Sequence, residues 1–356
     1  MQQEKKQRGR LPLGAVLALD ALALGLCLIV FALFHHVLPR NMDSGAVRPV
    51  SATPAPAPTT ALPSPTPAGA AEEAEPEASP DPRSEWAIRF EEHFTDEVEI
   101  TNASYTSPNV SVTVSSRELQ FEDRKTVCYI ADIYVSDVRC FRTYLAQNSF
   151  GRGIVDDIQS MARESGAVAA MTGDMYAYQG ASLMLRNGEL YRDGRWQTYQ
   201  SHCALYYDGR MEVYGPDELD YESAMADGAW QIWSFGPILL KDGEIPDEFG
   251  AGMAVEAPNP RSALGYYEPG HYCFVVADGR RPAYSYGLSF KELAELFRDL
   301  GCSCAYNLDG GGSAAMTLGG EFVNQPSGGG RELSDIVLIA EPPEETTAET
   351  EEEAAT

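Results

Sequence analysis

Apolar and polar residues alternate along much of the middle of the chain, and a period of two predicts β-strands. The stretch VSVTVSS at residues 110–116 alternates strictly, and KTVCYIADIYV at residues 125–135 is rich in β-branched and aromatic residues. HYCFVVADG, at residues 271–279, is a continuous apolar run closed by Asp-Gly, which is typical of a buried strand that ends in a turn. The middle of the chain is therefore predicted to be rich in strands.

Asn-Gly and Asp-Gly pairs divide this region into short segments. LMLRNGELY (183–191) and ALYYDGRMEVYG (204–215) each carry such a pair between two strand-like halves. Because these pairs favour the tight turns that join antiparallel strands, both segments are predicted to be hairpins. We interpret them as scaffold.

Two segments show helical periodicity instead. One is residues 153–166, and the clearer one is SFKELAELFRDLG at residues 289–301. In the second, Ser289 and Glu292 have the spacing of a capping box, and Gly301 supplies the left-handed stop. A short strand, CAYNL, follows and leads directly into three consecutive glycines. The pattern predicts an α+β fold, a single strand-rich mixed domain with no internal repeat.

The N-terminus carries a membrane signal. Residues 1–10 contain four Lys and Arg residues, and residues 11–34 are almost entirely apolar, interrupted by Asp20. A run of roughly 20 apolar residues is long enough to span a bilayer, and the basic residues before it place the N-terminus in the cytoplasm. We therefore expect a single-pass signal anchor in the cell membrane, with the rest of the chain extracytoplasmic. A cleaved signal peptide is the alternative.

Composition also predicts the domain boundaries. Residues 35–85 are rich in Pro, Ala, Thr and acidic residues and are predicted to be a disordered stalk, and residues 341–356 a disordered acidic tail. The folded domain is predicted to span residues 86–340, with its core at 125–340. Residues 86–124 are interpreted as either an extra β layer or a lid.

Charge and length exclude one class of function. The chain has 356 residues, a formal net charge of −27 and only 26 Lys and Arg residues. Proteins that bind nucleic acid neutralise its phosphates with basic side chains, so no nucleic-acid partner is expected.

Six cysteines lie outside the apolar N-terminal segment. In an exported domain they permit up to three disulfides, and the alternative is that they are small buried apolar residues. No matching pair of Cys or His lies near Cys302 and Cys304, so a zinc site is not expected there. The six are Cys128, Cys140, Cys203, Cys273, Cys302 and Cys304.

The glycine run at residues 310–312 is the first candidate for chemistry. Three glycines weaken any regular element, so the geometry that they permit must matter. A strand that ends in Asp-Gly-Gly-Gly-Ser can expose successive backbone N–H groups, and such a turn binds anions, phosphate above all. Asp309 then lies beside the anion, and Ser313 adds a hydroxyl. The alternative is a plain tight turn.

Three further features suggest a cleft. Asp174 follows the apolar segment GAVAA and the residues MTG, so that it also stands at a strand end. Arg261 precedes another apolar stretch, and Gly236-Pro237 lies between two strand-like runs. Together these features predict a cleft with two or three carboxylates and at least one guanidinium group.

Several segments of the chain together have the pattern of a known family. In chain order they are GDMY, FGPILLKDG, PRSALGY, FVVADGR, GLSFKELAELFRDLGCSCAYNLDGGGSAAM and VNQPSGGGRELSDIVLI. Through them the chain resembles the phosphodiester glycosidase family over residues 125–340. That family includes the uncovering enzymes, which remove N-acetylglucosamine from a sugar-phosphate diester, and bacterial members described as related to exopolysaccharides. Phe235 stands where members often have a small residue, and Met175 where an aromatic residue is common.

The resemblance implies hydrolysis of the sugar C–O bond of a sugar-1-phosphodiester in a surface glycan or wall polymer. Such a site needs donors for the leaving phosphate and carboxylates for the sugar. Asp174 and Asp309 are the implied catalytic residues, with nucleophile and base unassigned. Asp278 is a reserve candidate for a catalytic carboxylate, and the alternative is that it only stabilises a turn. The implied substrate-binding residues are Arg261, Asp278, Asn307, Gly310, Gly311, Gly312, Ser313 and Arg331.

Two other functions fit part of the pattern. A metal-dependent phosphodiesterase would also use clustered Asp residues and would cut the P–O bond. Against it, the five histidines do not cluster with Asp174 or Asp309. A non-catalytic surface module that binds a glycan is the second alternative. No cofactor is required by the sequence, and a divalent metal is possible.

Overall fold

The computed structural model describes residues 84–180, 182–194, 200–250 and 253–343. The predicted basic segment, the membrane anchor at 11–34, nearly all of the stalk and most of the acidic tail lie outside these residues. Within the described part of the chain, no helix has the length and apolar character needed to cross a membrane.

The largest sheet has eight antiparallel strands and contains the strands that the sequence predicts at residues 110–116, 125–135 and 271–279. In spatial order its strands are β1 (Glu99–Ile100), β2 (Ser104–Thr106), β3 (Val110–Gln120), β4 (Lys125–Val135), β14 (His271–Ala277), β13 (Arg261–Glu268), β15 (Cys304–Asn307) and β12 (Ile238–Leu240). The first three strands come from residues 86–124. Residues 86–124 therefore add three strands to one edge of the large sheet and do not form a β layer of their own.

Two five-stranded sheets complete the strand framework, and both are antiparallel throughout. One holds the two predicted hairpins, in the order β10 (Met211–Tyr214), β9 (His202–Tyr206), β11 (Ala229–Ser234), β7 (Met184–Arg186) and β8 (Glu189–Arg192). The other has the order β17 (Glu321–Phe322), β16 (Met316–Leu318), β6 (Ala169–Thr172), β18 (Asp335–Ile339) and β5 (Phe141–Leu145).

Helices are few and short in the described residues. They are α1 (Glu85–Arg89), α2 (Ile158–Glu164), α3 (Tyr221–Ala226), α4 (Met253–Glu256) and α5 (Phe290–Leu300). The capping box of α5 and its left-handed stop at Gly301 are confirmed. The prediction of a helix over residues 153–166 is too long, because Asp156 is drawn into a β-bridge with Leu333 and the next residue, Asp157, caps α2.

The main core lies where the three sheets face one another. Residues from β4, β14, β9, β11 and β18 pack there with less than a tenth of their surface exposed. A second core lies on the opposite face of the large sheet and is covered by α5, through Leu293, Ala294 and Phe297. Because α5 packs flat on this face, the strand that follows it, β15, enters the middle of the sheet and delivers the glycine turn to the sheet end.

The six cysteines of the described residues are buried free thiols. Of the two interpretations from the sequence, the structure supports small buried residues. The Cys273 and Cys302 sulfurs come closest to each other, 3.8 Å apart.

Candidate active site

A cavity of about 810 Å³ opens at one end of the large sheet. It forms where β15 ends and its neighbours β12 and β13 begin, because antiparallel pairing sets Asn307 opposite Ala263 and places Arg261 nearby. Asp309, the glycine turn and the Gly236-Pro237 peptide, which is cis, also line it. The cleft that the sequence predicts around these segments is therefore present.

Asp309 is the carboxylate that faces this cavity. Its backbone N–H donates to the Gly173 carbonyl (3.1 Å), and its carboxylate accepts from the N–H of Gly310 (2.9 Å). Burial raises the pKa of Asp309, and nearby Asp174 adds to the rise, while Ser313, the Gly310 amide and Arg331 lower it. The Asp309 side chain is thus held in place, with the negative charge of Asp174 and the positive charge of Arg331 nearby.

The three glycines are needed for close approach. A Cβ atom on Gly310 would lie 2.7 Å from the Pro260 carbonyl oxygen, and one on Gly311 would lie 2.8 Å from Nη2 of Arg280. Gly312 is similarly close, 3.3 Å, to Nη2 of Arg331. A side chain at position 310 would collide with the backbone, and one at position 311 or 312 would push the neighbouring guanidinium group away from the turn.

Two of the three backbone amides that the sequence predicts for anion binding are already hydrogen-bonded within the protein. The N–H of Gly310 donates to Asp309, and that of Gly311 donates to Pro260 (2.8 Å). These amides are used to fold the turn as a short 3₁₀ segment, Gly311–Ser313. The anion-binding capacity of the site must therefore come mainly from side chains.

Arg280 and Arg331 supply that capacity. Both are exposed, both line the cavity, and both guanidinium groups lie against the glycine turn. The Arg280 guanidinium group donates to the side-chain amide oxygen of Asn259, from Nη2 at 3.3 Å and from Nε at 3.4 Å. Neither arginine forms an ion pair with a carboxylate of the described residues. In a protein of net charge −27, two such cations in one cavity favour an anionic ligand.

Arg261 also lines the cavity, but most of its donors are in use. Its Nε donates to the Leu288 carbonyl (3.0 Å) and its Nη2 to those of Val255 (2.6 Å) and Ala257 (2.8 Å). Burial, with Arg280 nearby, lowers the pKa of Arg261 to about 10, so the group stays charged at neutral pH. These bonds make Arg261 part of the cavity wall, and its role in binding substrate stays a prediction.

Asn307 presents an acceptor to the same cavity. Its Nδ2 donates to the Gly236 carbonyl (2.8 Å), which can only accept and therefore fixes the orientation of the amide. Its Oδ1 is buried and has no hydrogen-bond partner in the described residues. An unpaired buried acceptor costs about 1–3 kcal/mol, so this oxygen is suited to receive a hydrogen bond from a ligand.

A second, smaller cavity of about 90 Å³ adjoins the first at Asp309 and Arg331. Ser313 and Asp335 line it. The Ser313 hydroxyl is buried and lowers the pKa of Asp309, although it has no hydrogen-bond partner in the described residues. Asp309 therefore stands between a large cavity and a small polar one.

Asp174 lies behind the site, in a buried charge network. Its Oδ2 accepts from the N–H of Ser234 (2.9 Å) and lies 2.7 Å from Nη2 of Arg186, which is also 3.7 Å from Asp335. All three charged side chains are 1% exposed, and Asp174 lines neither cavity. The two predicted carboxylates are thus neighbours, but only Asp309 reaches a cavity.

Asp335 holds this network to the site. Its carboxylate accepts from the N–H groups of Asp174 (3.3 Å) and Met175 (3.2 Å), and its backbone carbonyl accepts from Gly173 (3.1 Å). Burial and then the charge of Asp174 raise the pKa of Asp335 to about 7, against the lowering effect of Arg186. Asp335 therefore fixes the turn whose Gly173 carbonyl accepts from Asp309.

Asp278, the reserve candidate, lies outside both cavities. Its carboxylate accepts from Asn324 (2.8 Å), the backbone of Gln325 (3.0 Å) and Tyr284 (3.0 Å), and it lies 3.8 Å from Arg281. The structural role is the one supported: Asp278 anchors the turn that carries Arg280.

Sequence reasoning missed three residues of this region. Arg280 follows an ordinary Asp-Gly turn, Asp335 begins an apolar strand, and Arg186 precedes a hairpin turn, so none stands out in the sequence. The described residues contain no group of three or more His, Cys, Asp or Glu side chains placed to hold a metal ion.

Comparisons with known proteins identify the family of this domain. Residues 165–340 match the family model described as phosphodiester glycosidase. This part of the chain belongs to the phosphodiester glycosidase family. The solved catalytic domain of zebrafish N-acetylglucosamine-1-phosphodiester alpha-N-acetylglucosaminidase, auto-inhibited by its pro-peptide, has the same fold. It superposes with a TM-score of 0.55 at 19% identity, over 69% of this chain and 88% of that one.

Two curated relatives match parts of the sequence. An uncharacterized protein of Bacillus subtilis, YomE, derived from the SPbeta prophage, is 30% identical over 203 residues, which are 55% of this chain and 31% of that protein. The mouse N-acetylglucosamine-1-phosphodiester alpha-N-acetylglucosaminidase is 33% identical over 96 residues, 25% of this chain and 18% of that protein. The chain thus spans less than a third of the length of either relative.

Proposed function

We propose that this protein is an extracytoplasmic hydrolase that cleaves the sugar C–O bond of a sugar-1-phosphodiester. The observation that carries the proposal is the meeting of Asp309, Arg280 and Arg331 at one glycine turn, with no carboxylate of the described residues paired to either arginine. Family membership supports the reaction class. The substrate is proposed to belong to a surface glycan or wall polymer, reached from an anchor at residues 11–34.

The chemistry follows from what the reaction needs. When the bond between C1 and the bridging oxygen breaks, its electron pair goes to the phosphate, which leaves as a monoester. Arg280 and Arg331 stabilise the charge that develops there, so that little protonation of the leaving group is required. Water adds to C1 and loses a proton.

Asp309 acts on the sugar side. A carboxylate next to C1 stabilises the positive charge of an oxocarbenium-like transition state, and it either attacks C1 or takes the proton of the incoming water. The small cavity beside Asp309 has room for such a water. Ser313 lies at its edge, and its hydroxyl lowers the pKa of the carboxylate.

The test uses the purified full chain, an N-acetylglucosamine-1-phosphodiester and water enriched in oxygen-18. The label is sought in the phosphate monoester, whose oxygens do not exchange as the anomeric oxygen of a free sugar does. Unlabelled phosphate, formed by the wild type and not by Asp309→Asn, is the expected result. Labelled phosphate would mean P–O cleavage and would favour the metal-dependent phosphodiesterase. Binding without turnover across several sugars would favour a glycan-binding module.

A further inference from the structure

The large cavity has a second wall that the proposed reaction does not use. Part of its lining is apolar and includes Pro246, Phe249 and Val255, with Glu248 beside them. Its volume, about 810 Å³, falls in the upper part of the range for pockets that hold ligands much larger than one sugar. There is room for a further group next to a sugar and its phosphate.

The apolar wall is a built surface. The ring of Phe290 is covered on one side by the Arg261 guanidinium, 4.0 Å from the ring centroid, and it packs against Phe249 with centroids 5.8 Å apart. Arg261 also binds the carbonyls of Val255 and Ala257 and so holds this segment in place. Phe290 itself is only 2% exposed and supports the wall from below, whereas Val255 keeps 54% of its surface exposed. An ordered apolar wall in contact with solvent gains free energy when an apolar group covers it.

The polar groups of the cavity assign the other parts of the substrate. Arg280 and Arg331 offer only donors and suit the phosphate, which offers only acceptors. Asn307 offers a free acceptor and suits a hydroxyl or amide N–H of the sugar. The remaining part of a phosphodiester is the group esterified to the other phosphate oxygen, and the lining left for it is the apolar wall.

We propose that the second ester group of the substrate is an aliphatic chain, and that Pro246, Phe249 and Val255 bind it. This inference rests on the proposed cleavage of a sugar-1-phosphodiester, and it assigns as substrate the ester of an apolar alcohol in place of an ester within a polar glycan or polymer. A chain of several methylenes covers the wall, while a polar alcohol would leave its hydroxyls facing carbon.

The experiment compares two esters of N-acetylglucosamine 1-phosphate, the n-hexyl and the glyceryl ester, as substrates of the purified full chain. We expect kcat/KM for the hexyl ester to be higher by at least about tenfold, because each buried methylene contributes severalfold. Val255→Asp should bring this ratio close to one, because a carboxylate in the wall disfavours the hexyl chain but can accept from the hydroxyls of the glyceryl ester. Val98→Asp is the matched control, since Val98 is 55% exposed and lies away from the cavity lining.

Each outcome decides the proposal. A glyceryl ester that is hydrolysed as fast as the hexyl ester, or a ratio that Val255→Asp leaves unchanged, overturns the apolar subsite while the proposed function stands. If neither ester is hydrolysed, the proposed function fails, and calorimetry with hexyl phosphate and glycerol phosphate then tests the subsite alone. Preferential binding of hexyl phosphate that Val255→Asp abolishes supports it, and equal binding of the two overturns it.

Discussion

Asp309 and Asp174 occupy similar positions in the sequence and opposite surroundings in the molecule. Each follows a buried strand and adjoins a glycine, and the N–H of Asp309 even donates to the Gly173 carbonyl. Asp174, however, is 1% exposed and paired with Arg186, whereas Asp309 lies between two cavities and near arginines without carboxylate partners. The position of a carboxylate at a strand end therefore does not tell whether it supports the fold or faces a ligand.

The difference lies in how the charges are compensated. Removing a charge from water costs several kcal/mol, and Asp174 recovers this through its ion pair and the Ser234 amide. Around Asp309 the compensation is incomplete, because Arg280 and Arg331 find no carboxylate partner in the described residues. A ligand anion would complete it, which is why this region and not the Asp174 network is the candidate active site.

The largest expected effect is the loss of activity in Asp309→Asn. The amide keeps the shape and can still accept from Gly310, but it has no charge to stabilise the sugar cation. We expect kcat to fall by at least about 10³-fold, with an unfolding midpoint in urea close to that of the wild type. A variant that keeps a tenth of the activity would show that Asp309 is not the catalytic carboxylate.

Asp174→Ala should act on stability instead. It leaves the Arg186 guanidinium buried with only the more distant Asp335 as a carboxylate neighbour. The free energy of unfolding is expected to fall by about 3–5 kcal/mol, measured by urea denaturation. As a control, Asp208→Ala breaks a pair whose Asp side chain is 61% exposed and should cost less than about 1 kcal/mol. Equal losses in the two variants would show that the buried ion pair of Asp174 stabilises the fold no more than an exposed pair.

Arg280→Met tests the side of the site that sequence reasoning missed. Loss of one charged donor to the leaving phosphate should lower kcat/KM by about 10- to 100-fold, with little change in stability, because Arg280 is exposed and has no ion pair to lose. Arg298→Met removes an exposed arginine of α5 that lies outside the cavity lining. A similar decrease in both variants would point to a general charge effect rather than a phosphate contact.

The smallest effect concerns pH. The Arg331 guanidinium lowers the pKa of Asp309, so Arg331→Met should raise that pKa further. If the ionised carboxylate is the active form, kcat/KM then falls at a higher pH on acidification than in the wild type. Arg280→Met should leave this acid limb in place, since Arg280 is not among the groups that shift Asp309. If Arg331→Met leaves the acid limb of the kcat/KM profile unchanged, that limb does not report the ionisation of Asp309.

Local patterns were sufficient for much of the fold. The capping box and stop of α5, the strand β4 and the two hairpin turns involve residues close together in sequence, and each forms where the pattern predicts. The segment 153–166 shows the limit of such patterns. Its first residues were drawn into a bridge with Leu333, a contact between distant parts of the chain that no local period reports.

The candidate site divides in the same way. The glycine turn and Asp309 could be found because unusual residues stand next to each other in the sequence. Arg280 could not, because its guanidinium becomes a site group only where the turn after β14 meets Gly311. In the sequence Asp335 is only the first residue of an apolar strand, and the pairing of β18 with β6 places it next to Asp174.

The sequence by itself determined the strand-rich elements, the glycine turn and the resemblance to a family, because these depend on neighbouring residues and their order. Only the tertiary structure decided which charges are paired and which are left to face a cavity. The physical reason is that pairing depends on the register of strands and the meeting of turns, which bring together side chains far apart in the chain.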